Sequence, residues 1–183
     1  MAILGYQTIG GSTRDHSDYI YAVAWTMPSD GDITSISVYG NSAAPDDITM
    51  GIYDDNGTAG APGTLLRDTA GGASSTSPSW HTQNLDTPLS LLSGDRIYIA
   101  VHNNSDWTQY YDLNASADST YRRFTGYTAG DLSGVTPDSF VQLSSSNVDW
   151  SIYLTFTPTG GGGSGGYSSI MSIVRAFSGA FSK

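Results

Sequence analysis

Short β-branched and aromatic runs, each closed by Gly, Pro, Asn or Asp, recur along the first 157 residues of this chain. Residues 19–27 (YIYAVAWTM) form the first, Pro28, Ser29, Asp30 and Gly31 supply a turn, and residues 33–39 (ITSISVY) then alternate with period two. Strict alternation places Ile33, Ser35, Ser37 and Tyr39 on one face and makes Ile36 and Val38 the core set. The two runs predict neighbouring strands joined by a tight turn.

Residues 48–53 (ITMGIY) predict a third strand, closed by Asp54, Asp55, Asn56 and Gly57, whose Asn-Gly pair favours the positive φ angles of a turn. A short strand at 64–67 follows. Trp80 opens a strand to Leu85, Pro88 with Leu89, Leu91 and Leu92 makes an apolar crossing, and residues 96–102 (RIYIAVH) have the composition of a central strand. Further β-like runs lie at 108–113, 120–124, 139–143 and 148–157; in the last, Trp150, Ile152, Leu154 and Phe156 share one face and Tyr153 takes the other. Nine or ten strands at this spacing predict an all-β antiparallel sandwich, jelly-roll-like in character, over residues 1–159.

Periodicity changes after Pro158. Residues 160–166 (GGGGSGG) predict a flexible linker with a reach of about 15 Å. In residues 167–183 the apolar positions Ile170, Ile173, Val174, Phe177 and Phe181 recur at helical spacing, so this segment predicts a short amphipathic tail helix. So short a helix is marginal in isolation and is expected to fold against something: an assembly partner or another copy first, its own sandwich or a membrane surface as the alternatives. That apolar face is the candidate anchor.

Composition sharpens the picture in three ways. All 17 acidic residues are Asp, Glu is absent, and the basic residues are six Arg and Lys183, a turn-rich β composition. The body, residues 1–159, carries 17 acidic against 5 basic groups (−12), whereas residues 160–183 carry only two basic ones (+2). A net charge of −10 argues against nucleic acid and anionic membrane as partners, because binding there relies on Lys and Arg. There is no cysteine, hence no disulfide and no thiolate chemistry. No stretch approaches the roughly 20 apolar residues of a transmembrane helix. The opening residues have no basic, apolar leader pattern, and synthesis and folding in the cytoplasm are expected.

Catalytic signals are weak. His16, His81 and His102 show no metal-binding spacing. A formal GxSxG around Ser164 lies inside the glycine linker, which cannot hold the strained turn of a hydrolase nucleophile. Asp54, Asp55 and Asn56 are the calcium candidates, but they lack the full ligand alternation and distal Glu of an EF-hand loop, and turn chemistry explains them first. No cofactor is expected. Aromatic residues in or beside loop-like stretches carry more information: Trp107, Tyr110, Tyr111 and Tyr127, together with Trp80 and Tyr121, are candidate glycan contacts, since aromatic faces stack on sugars while Asp and Asn bind hydroxyls. Core packing is the alternative for each.

The series Ile52, Tyr53, Asp54, Asp55, Asn56, Gly57, then Pro62, Gly63, Thr64, Leu65, Leu66, Trp80, Pro88 and 92–101 (LSGDRIYIAV) resembles recurrent β-sandwich modules of phage structural proteins and secreted bacterial surface proteins. The resemblance covers residues 20–157. It implies a non-enzymatic virion structural or decoration protein at the virion surface; the tethered amphipathic segment adds the expectation of many copies or a homo-oligomer, bound to other virion or assembly proteins through the tail. The alternatives are a carbohydrate-binding module and a self-assembling extracellular fibre subunit.

Overall fold

The computed structural model describes residues 1–15, 19–41, 48–57, 62–69, 78–103, 107–113, 121–125, 132 and 148–160. Twelve strands lie among them: β1 (Ala2–Gly5), β2 (Ser12–Asp15), β3 (Tyr19–Thr26), β4 (Gly31–Gly40), β5 (Ile48–Asp54), β6 (Leu65–Asp68), β7 (Ser79–Leu91), β8 (Arg96–Asn103), β9 (Thr108–Leu113), β10 (Tyr121–Thr125), β11 (Val148–Trp150) and β12 (Ile152–Pro158). All pairings are antiparallel, and they make two sheets. One has seven strands, with β1-β12-β4-β9-β11 as its path, β2 added on β9 and β7 on β4; the other has five, ordered β10-β3-β8-β5-β6. This is the all-β sandwich that the strand spacing predicts. The expected strand at 139–143 lies outside the described residues, and β1 and β2 are additions that four-residue lengths hide from pattern reading.

One core fills the space between the sheets. The seven-stranded sheet sends in Ile33, Ile36, Val38, Trp150, Ile152, Leu154 and Phe156, and the five-stranded sheet sends in Tyr21, Val23, Met50, Ile52, Ile99 and Val101. Alternation along β12 therefore holds as expected. Along β4 it breaks once: Ser35 pairs with Thr155 and Ile33 with Phe156, which leaves Thr34 as an extra residue in a β-bulge. The bulge flips parity, so Ile33 joins the core with Ile36 and Val38 instead of sharing a face with Ser35, Ser37 and Tyr39.

Within the five-stranded sheet, β3, β5 and β8 are buried on both faces. Ile20, Ala22 and Ala24 of β3, Tyr53 of β5 and Tyr98 and Ala100 of β8 form a second apolar cluster with Leu132, whose carbonyl accepts a hydrogen bond from the Tyr53 hydroxyl at 3.0 Å. Burial on both sides explains why β3 and β8 are continuous apolar runs rather than alternating ones.

Both ends of the sandwich are pinned by short contacts. At one end, the Thr159 amide donates to the Asp30 carbonyl, the Met27 amide to the Asp95 carbonyl and the Ser93 amide to Asp30 Oδ1, so the chain leaves β12 beside the turns that follow β3 and β7. At the other end, Gly40 pairs with Gln109, and Ser151 accepts from Tyr39 while donating to Tyr110, so β9 continues the line of β4 along the β12 and β11 strands.

Candidate functional site

The outer face of the seven-stranded sheet carries a row of four half-buried aromatic rings. Tyr39 of β4 and Trp80 of β7 are direct cross-strand partners, with ring centroids 5.5 Å apart and edge to face. Tyr110 of β9 meets the other side of Tyr39 at 5.1 Å, and Tyr153 of β12 meets Trp80 at 4.9 Å, again edge to face. Four strands thus contribute one ring each to a continuous surface. Pairs of this geometry are each worth about 0.5–1.5 kcal/mol beyond their burial, so the rings hold one another in place.

Hydroxyl and carboxylate groups flank the row. On β7, Thr82 and Asn84 follow Trp80 on the same face and are exposed, and the Thr82 hydroxyl pairs with that of buried Ser37 at 2.7 Å. Beyond Tyr110 on β9, Asp112 accepts from the Gly11 amide at 2.7 Å and from the Tyr6 hydroxyl at 2.6 Å. The Gly11 amide first, and the Tyr6 hydroxyl second, hold the Asp112 carboxyl below its ordinary pKa, while the same bond to Asp112 raises that of Tyr6. Asp149, fully buried, stands directly across from Asp112 on β11.

The segment between β1 and β2 is tied over this end of the sheet by Ser151. Its hydroxyl donates to the Thr8 carbonyl at 2.9 Å and accepts from the Gly10 amide at 3.0 Å. Ser151 interrupts β11 and β12 on the outer side, between the inward-facing Trp150 and Ile152.

The expected glycan contacts separate. Tyr110 lies in the row. Tyr111, one residue on, faces inward and packs on Trp150 at 5.0 Å. Trp107 is corrected outright: it is 0% exposed, lies in the core and contacts the His81 ring at 6.0 Å, so its indole offers no face to a ligand. Tyr127 and the tail anchor residues Ile170, Ile173, Val174, Phe177 and Phe181 lie outside the described residues. Tyr39 and Tyr153 join Trp80 and Tyr110 without having been singled out as contacts, although alternation already sets both apart from the core positions of their strands. The missing signal was that a ring in mid-strand can face solvent as readily as one in a loop.

The calcium candidates do not converge. Asp54 Oδ1 accepts from the Thr64 amide at 2.6 Å and Oδ2 from Asn56 Nδ2 at 2.5 Å, which closes the β5 to β6 loop, while Asp55 forms an ion pair with Arg96 at 2.8 Å. Among the described residues no group of three His, Cys, Asp or Glu side chains is placed to hold a metal ion. His81 lies on the inner side of the seven-stranded sheet opposite Val38, and His102 lies on β8 of the other sheet. Among the described residues no helix is long and apolar enough to cross a membrane.

A scan against protein-family models finds none that matches the chain, and a search of curated proteins finds no relative of it.

Proposed function

We propose that this chain is a non-enzymatic structural or decoration module, carried by a virion or a comparable extracellular assembly and attached through its C-terminal tail. The polarity of the sandwich supports this reading. The chain leaves β12 at Pro158 beside Asp30, whereas Tyr39, Trp80, Tyr110 and Tyr153 gather at the opposite end of the seven-stranded sheet, near Gly40 and Ser151. An attachment at one end would leave the aromatic face turned outward at the other.

The charge pattern agrees with attachment. An acidic body repels other acidic bodies, while a weakly basic segment with apolar residues at helical spacing in its sequence suits a groove on an assembly partner. Repetition over many copies would turn a weak contact into stable attachment through avidity.

Size-exclusion chromatography with light scattering on the full chain and on residues 1–159 tests the reading. Truncation there removes no part of the described sheets, because β12 ends at Pro158. Assembly of the full chain alone assigns the tail its anchoring role, and assembly that residues 1–159 retain would overturn it.

A further inference from the structure

We propose that the row Tyr110, Tyr39, Trp80 and Tyr153 is a binding platform for a neutral oligosaccharide, with Thr82, Asn84 and Asp112 as its hydroxyl-binding flank. The inference deepens the display reading, on which it rests for the outward orientation of the face.

Three observations carry it. First, the rings are preorganised: each is half-buried and fixed by edge-to-face neighbours, so binding freezes few rotamers. Edge-to-face packing also tilts successive rings, giving the row a corrugated surface against which the apolar C–H faces of successive pyranose rings can lie. Second, the flank is chemically matched to sugars. Exposed Thr82, its hydroxyl oriented by that of Ser37, and exposed Asn84 border the row on one side, and an Asp112 carboxylate oriented by Gly11 and Tyr6 borders it on the other. Few polar groups placed around an aromatic floor is the general composition of small-ligand sites.

Third, charge selects among occupants. No Lys or Arg stands on this face among the described side chains, Asp112 does, and the whole chain is at −10. An anionic partner such as a nucleic acid or a sulfated glycan is repelled, and a second copy would bring an equally acidic face. A neutral glycan meets no such penalty. The matching position on the other sheet is closed, because Leu132 packs against Tyr53 there.

The test titrates the full chain with cellohexaose, maltohexaose and mannohexaose, followed by tryptophan fluorescence and calorimetry. Saturable binding to at least one is expected, weakened about tenfold or more by Trp80→Ala and by Tyr153→Ala, and kept within about threefold by Trp80→Phe, which retains a ring. Asn84→Ala, at an exposed position, should weaken binding without moving the urea midpoint, which guards against misfolding of the ring variants. Absence of saturable binding to all three sugars overturns the proposal, as does binding that Trp80→Ala and Tyr153→Ala leave unchanged. A wild-type dimer that Trp80→Ala converts to monomer would assign the face to a second copy and overturn it too. Sugar binding is read by titration and the anchor by the mass difference between the full chain and residues 1–159, with Trp80→Ala in both species removing any dimer formed through the aromatic face, so failure of the platform and failure of the anchor are read separately.

Discussion

The Trp107 indole packs so close to Gly40 that a Cβ there would overlap the ring at Cζ2, Cε2 and Nε1. Gly40 is also where β4 gives way to β9, through its pairing with Gln109, and the indole seals the core beneath that joint. The backbone approach leaves no room for any side chain. Trp107 is held where it is by the absence of one at position 40.

Gly40→Ala should therefore destabilise by about 1–3 kcal/mol, the usual cost of overpacking a filled core. Trp107→Ala should cost about 3–5 kcal/mol through cavity formation. Urea unfolding monitored by circular dichroism reads both. An unchanged midpoint for Gly40→Ala would show that the indole yields without loss and that the joint is not tightly packed.

Ser151→Ala removes one hydroxyl and strands the buried Gly10 amide, together with the Thr8 carbonyl at a part-buried bond. Leaving buried polar groups unsatisfied costs about 1–3 kcal/mol, and here the loss also frees the crossing between β1 and β2. Amide hydrogen exchange should rise at Gly10 and Gly11 before it rises in β4. Protection unchanged at those amides would mean that other contacts hold the crossing.

Much of this architecture was legible because the core strands announce themselves. Continuous apolar runs at β3 and β8 and strict alternation at β12 follow directly from burial on two faces and on one, and the structure bears out each. Strict alternation misplaces Ile33, because a bulge at Thr34 is a one-residue event with no hydrophobic signature. Trp107 misleads for a similar reason. Asn and Asp around it mimic an exposed loop, and only the distant Gly40 shows that the ring is inside. The aromatic row was half legible: alternation put Tyr153 off the core face and Tyr110 was named outright, but meeting across four strands depends on register, which periodicity does not encode.

Asp54→Ala should lower stability by about 0.5–1.5 kcal/mol, because its carboxylate ties the Thr64 amide and Asn56 across the β5 to β6 loop. The same loss is expected with added calcium and with a chelator, since the oxygens are already engaged by protein donors. Thermal unfolding in the two conditions measures this. A rise in wild-type midpoint with calcium that Asp54→Ala abolishes would make the loop a metal site after all.

His81 makes the sandwich sensitive to mild acid. It is 5% exposed beside Trp107, and among the described residues its Nε2 has no hydrogen-bond partner. Burial disfavours the imidazolium and holds its pKa below the ordinary value of 6.5. The unfolded chain therefore takes up a proton near pH 6.5 that the folded chain refuses. The contribution of neutral His81 is fully present above that pH and is lost progressively as pH falls through 6.5 and then through the lower folded value. The aspartates titrate too, so the informative quantity is the difference in unfolding free energy between wild type and His81→Leu, in which their effects cancel. That difference should move against the wild type between pH 7.5 and pH 5.5, at about 1.4 kcal/mol per pH unit at most. A difference that stays constant across the window would mean that the imidazole is solvated in the folded protein, and the tight contact with Trp107 would have to be abandoned.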